Sequence, residues 1–208
     1  LYKYISLEAE SRHGTLIDIG FGSGYHLRKL SKKCRAQIAI GFDISQETTA
    51  LFNKTNPGPG RIAIRISPYS EAIPVKSDSV DLVICSHLLE HVPDDVKLLK
   101  EIRRVMKKEC LAYIAVPINE EEINIPLHIR KYKPEKFVKL LEKSGFRIIR
   151  STESDNFTLL ISRLGLKKGI FFSAVKKSLI FLLSLAPVFL LERPSMKKSQ
   201  FICFCRKN

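Results

Sequence analysis

One stretch of the sequence, from Thr15 to Leu30, constrains the fold more than any other. Its first part, Leu16 to Ile19, is short, apolar and rich in β-branched residues, which favours a buried strand. Three glycines follow at alternate positions, and glycine permits sharp turns and a close approach of a ligand to the backbone. Leu27 and Leu30 then stand at helical spacing. The stretch therefore predicts a strand, a ligand-binding loop and a helix whose first N–H groups are free.

The spacing of Gly20, Gly22 and Gly24 narrows the choice of ligand. It differs from the Gly-x-Gly-x-x-Gly pattern of dinucleotide binding, and no Gly-Lys-Ser/Thr follows to make a phosphate loop. Asp18 stands just before the loop, where it would repel a pyrophosphate and suit a cationic amine. Asp43 ends the next predicted strand, where a carboxylate can accept both hydroxyls of a ribose. An amine near one acid and a ribose near the other describe S-adenosylmethionine (SAM).

With these residues the sequence resembles the class I SAM-dependent methyltransferases, in the small-molecule and lipid branch with an Asp-x-Gly-x-Gly-x-Gly loop. The resemblance covers about Leu16 to Arg150 and a last strand at Gln200 to Arg206. It implies an α/β, Rossmann-like, doubly wound fold with a seven-stranded, mostly parallel sheet. The implied strand order is 3-2-1-4-5-7-6, with the last strand antiparallel. It also implies an enzyme that uses SAM, releases S-adenosylhomocysteine and needs no metal.

The resemblance further implies a set of cofactor contacts. They come from the glycine loop, the ends of strands 2 and 4 and the segment after strand 3, and comprise Asp18, Gly20, Phe21, Gly22, Gly24, Asp43, Ile44, Tyr69, Ser70, Ser86 and His87. Tyr69 departs from the family pattern, which usually places an acidic residue there to accept from the adenine amine. A tyrosine can instead stack on the adenine or hydrogen-bond to it. The segment from His87 to Asp95 is similar to the motif that follows strand 4 in this family.

Three residues are candidates for a general base. Methyl transfer from a sulfonium mainly requires alignment and exclusion of water, and a base is needed only if the acceptor arrives protonated. His128 is the first candidate because it lies between strand 5 and the next helix. Tyr132 is the second and His87 the third. A structural role for His128, as a hydrogen-bonding group that holds the loop, stays open.

A metal site is not expected, although His87 and His91 precede two acids. We expect His91 to tether the local loop, and Asp94 and Asp95 to cap the next helix. The five cysteines are odd in number and form no Cys-x-x-Cys pair, which predicts reduced thiols in a cytosolic protein. Because the sequence begins at Leu1 without a signal-peptide pattern, we expect an earlier natural start and a cytoplasmic location.

The segment from about 154 to 198 is an apolar, basic insert between the last two predicted strands of a single domain spanning 1–208. The uncharged run Ser178 to Leu191 falls short of the roughly 20 residues that a membrane-spanning helix needs. One interpretation is a buried lid. The other is a helix that lies on the inner membrane surface or grips an apolar substrate, with lysines of 167–198 meeting anionic headgroups.

The predicted function is methyl transfer from SAM to a small-molecule acceptor, apolar or lipid-like. The net charge of +14 would also suit an RNA methyltransferase. However, nucleic acid is not expected, because the basic residues are mixed with aliphatic rather than base-stacking side chains. A non-catalytic, membrane-associated protein that only binds SAM is the remaining alternative, and the intact glycine loop and both acids argue against it.

Overall fold

Seven strands form one sheet in the order β3-β2-β1-β4-β5-β7-β6, which confirms the predicted topology. The computed structural model describes residues 14–56, 60–66, 72–119, 127–154 and 198–208. The strands are β1 (Thr15–Ile19), β2 (Ile38–Asp43), β3 (Arg61–Arg65), β4 (Val80–Ser86), β5 (Met106–Pro117), β6 (Phe146–Ser154) and β7 (Gln200–Lys207). The α-helices are α1 (Tyr25–Lys33), α2 (Gln46–Thr55), α3 (Asp95–Val105) and α4 (Pro134–Lys143).

The first five strands are parallel. Most of their apolar residues are buried between helices on both faces, whereas Ile38 of β2 and Ile62 of β3 are exposed. Leu27 of α1 and Phe52 of α2 pack in one core cluster, whereas Leu98 of α3 and Phe137 of α4 pack in the other. Runs such as Leu82 to Cys85 in β4 are apolar on both sides because both faces of the sheet are covered. Parallel strands bring their carboxyl ends to one edge, where ligands bind in such sheets.

Strand β7 lies between β5 and β6 and is antiparallel to both. Cys205 is paired with Ala112 of β5 on one side and with Ile148 of β6 on the other. A register shift between Ile148 and Arg150 marks a bulge in the outer strand. All five cysteines are buried free thiols, as the sequence predicted.

Element ends differ from the sequence prediction at the junction of α3 and β5. Apolar residues at helical spacing from Val96 to Met106 predict a helix from Asp95 to Lys107. In the structure, α3 ends at Val105 and β5 starts at Met106, which pairs with Val80. Lys107 contacts the carboxylate of Asp81 at 2.8 Å, which holds this extended start in place. The sequence also predicts a short helix from Tyr2 to Arg12, which lies outside the described residues. Tyr69, Ser70 and nearly all of the insert lie outside them as well. In the described part of the chain, no helix has the length and apolarity to span a membrane.

Candidate cofactor and active site

The glycine loop connects the end of β1 to the start of α1. The Gly20 N–H donates to the Phe42 carbonyl at 2.7 Å, which fastens the loop to the end of β2. Gly22 has φ +49°, and a Cβ built there would meet no atom of the described residues within 4 Å. Gly24 has φ +70°, and its Cβ would lie 2.5 Å from the Phe52 ring. The loop is therefore open to a ligand at Gly22 and tightly packed at Gly24.

Asp43, at the carboxyl end of β2, is bonded directly to that loop. One carboxylate oxygen accepts from the Gly22 N–H at 3.0 Å, and the other accepts from the Ser45 N–H at 3.0 Å. A carboxylate offers about four lone-pair sites, so these two bonds orient the group and leave acceptor capacity for a diol. An open surface groove of about 560 Å³ at the start of α2 is lined by Ser45, Gln46, Glu47 and Ala50, and Asp43 is not part of its lining.

Asp18 presents a buried carboxylate that lacks a full set of partners. It is 2% exposed, and its Oδ2 has no hydrogen-bond partner among the residues that the structure describes. Burial raises the pKa of this carboxyl to about 8; a hydrogen bond from the Leu27 backbone opposes the rise, and the charge of Asp43 adds to it. A buried acceptor of this kind fits a cationic amine, which would supply both the missing donor and the compensating charge. The residues present thus fit the amino and ribose groups of SAM.

The carboxyl ends of β4 and β5 add further polar groups. Ser86 ends β4 and hydrogen-bonds with Tyr113 of β5, whose pKa is raised to about 12 by burial. His87 follows with φ +52°, and its N–H donates to the Ala115 carbonyl at 2.9 Å. Its ring Nε2 lies 2.9 Å from the Gln200 side-chain oxygen and its Nδ1 lies 3.6 Å from Glu90. His87 is therefore held on both sides, in a backbone conformation that non-glycine residues seldom adopt.

His128 lies in a segment that is fastened to the turn after β4. The His91 Nδ1 lies 2.9 Å from the Leu127 carbonyl, and the Ile129 N–H donates to the Glu90 carbonyl at 2.9 Å. The His91 and His128 rings pack edge to face, with centroids 4.8 Å apart. His91 thus tethers the local loop, as predicted, and both chain neighbours of His128 are fixed.

Tyr132 is also held by contacts between this segment and the region after β4. Its hydroxyl donates to Asp95 at 2.8 Å, and Arg130 contacts the same carboxylate at 3.5 Å. Burial, followed by the bond to Asp95, raises the pKa of Tyr132 well above its ordinary range. A buried, committed hydroxyl favours a positioning role over proton acceptance. Asp94 caps α3 by accepting from the Lys97 N–H at 2.8 Å, which confirms the expected cap at that residue.

Two polar residues of this edge were missed by the sequence analysis. Glu90 is 1% exposed, and its Oε2 has no partner in the described part of the chain. The pKa of His26, in the first turn of α1, is lowered to about 4, mainly by burial and then by the charge of His87. The sequence signals for these two residues are weak. Glu90 follows two leucines, and His26 stands directly before the core residue Leu27.

Within the described ranges, one group of three histidine, cysteine or acidic side chains could hold a metal ion. It consists of Glu90, His91 and His128. Their ligand atoms lie within 4.8 Å of one another. This set differs from the His87, His91, Asp94 and Asp95 combination weighed from the sequence. The expectation that no metal is used stays a prediction.

The structure brings most predicted cofactor residues to one edge of the sheet. The Phe21 side chain is an exception, because it is buried against Phe52 with ring centroids 5.3 Å apart. Only the Phe21 backbone is left near the loop. Ile44 is half exposed beside Asp43. Tyr69 and Ser70, expected near the adenine, are outside the described residues.

Comparison with known proteins finds methyltransferases among the relatives of this chain. Residues 17–114 match the methyltransferase domain model. A probable SAM-dependent methyltransferase of Mycolicibacterium smegmatis is 26% identical over 140 residues, covering 64% of this chain and 52% of that protein. The ubiquinone/menaquinone biosynthesis C-methyltransferase UbiE of Geotalea uraniireducens is 32% identical over 105 residues, covering 49% of this chain and 44% of that protein. The chain thus spans about half the length of the curated relatives it matches.

Solved structures share the fold over almost the whole chain. A SAM-dependent methyltransferase from Aquifex aeolicus aligns with a TM-score of 0.65 at 18% identity, covering 99% of this chain and 88% of that one. At that identity the likeness concerns the fold. The domain match, the strand order and the paired acids at the glycine loop together support a class I SAM-dependent methyltransferase.

Proposed function

We propose that this protein transfers the methyl group of SAM to a small acceptor that is apolar or lipid-like. The observation that carries the proposal is the arrangement around the glycine loop. There the Asp18 carboxylate, whose Oδ2 has no partner among the described residues, the open backbone at Gly22 and the anchored carboxylate of Asp43 lie at the carboxyl ends of adjacent strands. Asp18 would pair with the amino group of SAM, and Asp43 would accept the ribose hydroxyls.

Bound SAM supplies a methyl group on a positively charged sulfur, so the electrophile is already activated. The protein then has to align the acceptor and exclude water. Asp43 is oriented by two backbone N–H groups before any ligand arrives, which lowers the cost of ordering it. Ser86 and His87 lie at the end of β4, next to β1, and bound the side of the site that faces the acceptor.

His128 is the group that we assign to take a proton from an acceptor that arrives protonated. Its neighbours Leu127 and Ile129 are both hydrogen-bonded to the turn after β4, so its ring is presented from a fixed backbone. Tyr132 serves this arrangement by holding Asp95 rather than by accepting a proton. The buried Glu90 carboxylate stands within 4.8 Å of His128 and would stabilise positive charge on the imidazole.

An apolar acceptor is supported by two observations. Leu127 and Ile129, on either side of His128, are exposed aliphatic side chains. The relative UbiE carries a name that refers to ubiquinone and menaquinone biosynthesis. A transfer assay with radiolabelled SAM against lipid, small-molecule and RNA fractions of source cells tests the proposal. Label in the lipid or small-molecule fraction supports it, label in RNA favours the RNA alternative, and SAM binding without transfer favours a non-catalytic protein.

A further inference from the structure

The segment that carries His128 exposes two large aliphatic side chains to solvent. Leu127 is 81% exposed and Ile129 is 57% exposed, although most large apolar residues of the described chain are buried. Neither exposure reflects a loose segment, since the Leu127 carbonyl and the Ile129 N–H are both hydrogen-bonded to the turn after β4. Two rigidly presented aliphatic tips therefore stand at the rim of the proposed acceptor site. Single exposed aliphatic residues are common on protein surfaces, so this pair points to an apolar partner only together with the charges that follow it.

A row of lysines begins four residues after Ile129. Lys133 caps the N-terminus of α4, and Lys136, Lys139 and Lys143 follow on the helix. At the α-helical repeat these three helical lysines fall within an arc of about 60°, on the side opposite the buried residues Phe137 and Leu141. All four lysines are exposed, and their side chains form no ion pair with any residue in the described ranges.

The composition of this surface distinguishes between anionic partners. Residues 127–150 contain eight lysines and arginines and two glutamates, a net charge of +6. Single-stranded nucleic acid is bound through aromatic side chains that stack on bases, but Tyr132 and Phe137 are both buried here. Exposed aliphatic tips followed closely in sequence by exposed lysines, which form no ion pair in the described ranges, instead match a bilayer surface. There aliphatic groups enter the acyl boundary and lysines meet anionic headgroups.

We propose that Leu127, Ile129, Lys133, Lys136, Lys139 and Lys143 form a rim face that docks on an anionic lipid bilayer and turns the acceptor site toward it. The inference rests on the proposed function in one respect: the docked rim would receive an acceptor that resides in the membrane. It is independent of the insert at 154–198, which is outside the described residues. In the docked orientation an apolar acceptor reaches His128 without crossing water.

The test is co-sedimentation of the full chain with vesicles of equal parts phosphatidylglycerol and phosphatidylcholine at low salt. Pure phosphatidylcholine vesicles serve as the neutral control. One variant combines Leu127→Ser and Ile129→Ser, and another combines Lys136→Glu and Lys139→Glu. We expect each variant to weaken vesicle binding by about tenfold or more. For the lysine variant the reason is that a lysine near an anionic surface contributes about 1 kcal/mol. We also expect salt to weaken binding of the parent.

Matched controls lie on the helices of the opposite sheet face. Leu51→Ser removes an aliphatic side chain of α2 that is 62% exposed, and Lys32→Glu with Lys33→Glu reverses two exposed lysines of α1. These controls should bind vesicles like the parent. If the rim variants and the control variants bind vesicles equally, the proposal that the rim face docks on a bilayer is overturned. It is also overturned if the protein binds an RNA oligonucleotide through these lysines and does not bind vesicles. Calorimetry with SAM on the same samples separates the two proposals, because all the variants should retain SAM affinity.

Discussion

Replacing Asp18 with asparagine should stabilise the ligand-free protein while removing its affinity for SAM. The pKa of this carboxyl is raised from 3.8 to about 8 in the folded protein, mainly because the group is buried. Between those values the folded protein keeps a proton that the unfolded chain has released. Stability contributed by the protonated group is therefore lost as pH rises through this window. Asparagine keeps the oxygen that can accept from the Leu27 backbone and carries no charge.

The magnitude follows from the width of that window. Each pH unit between the two pKa values lowers the free energy of unfolding of the parent by about 1.4 kcal/mol relative to a variant that cannot ionise there. From pH 5 to pH 7 the Asp18→Asn variant should gain about 2–3 kcal/mol on the parent. Such a change is large beside the roughly 5–15 kcal/mol that stabilises a typical domain.

The measurement is urea denaturation of both ligand-free proteins at several pH values. Taking the difference between the two proteins cancels every other titrating group that they share. SAM at about 100 times its Kd should add roughly 2.7 kcal/mol to the parent and much less to the variant. Asp81→Asn is the matched control, since Asp81 lies near the amino ends of β1 and β4, bonded to the Thr15 N–H.

Two results would refute this reasoning about Asp18. A stability difference that does not change between pH 5 and pH 7 would mean that the carboxyl titrates near its ordinary value. Equal stabilisation of variant and parent by SAM would mean that the unpartnered oxygen does not face the amine.

The remaining predictions concern the ribose, the base and the insert. Asp43→Ala should weaken SAM binding by about 1.5–3 kcal/mol, because hydrogen bonds to a charged acceptor are lost. Gly22→Val should block the open backbone of the glycine loop. Unchanged SAM affinity of both variants in calorimetry would remove this cofactor site. His128→Ala should lower turnover about 100-fold or more with little effect on SAM affinity, whereas a rate within a few-fold of the parent would make His128 a structural residue. Replacing Lys167–Lys198 with a short turn should weaken binding to anionic vesicles and leave SAM binding intact, and unchanged vesicle binding would favour a buried lid.

The sheet and the cofactor loop could be predicted from the sequence because both depend on local signals. Leu16 to Ile19 followed by three alternating glycines specifies a strand and an open turn, and Asp43 marks the end of the next strand. The bonds between the Asp43 carboxylate and the loop could not be foreseen, since they depend on how β1 and β2 are placed in register.

The acceptor side was harder to predict because its geometry comes from contacts between segments distant in sequence. Glu90 reads as a surface residue of a helical turn, yet it is buried among histidines from two segments. Tyr132 is a candidate base by its position in the sequence, but in the structure its hydroxyl donates to Asp95. The sequence predicts an end of α3 at Lys107 rather than at the observed Val105, because the helical pattern runs directly into the strand that follows it.

The position of β7 between β5 and β6 has a consequence for synthesis of the chain. Ser154 ends β6 and Gln200 starts β7, so 45 residues separate two strands that must pair. At a typical rate of about 5–20 residues per second, several seconds pass before the nascent chain contains β7. Throughout that interval the apolar strand β5 presents an unpaired edge, and β6 has no partner. Newly made chains should therefore need a chaperone at this stage. Without a chaperone, we expect them to aggregate by strand-to-strand pairing through β5.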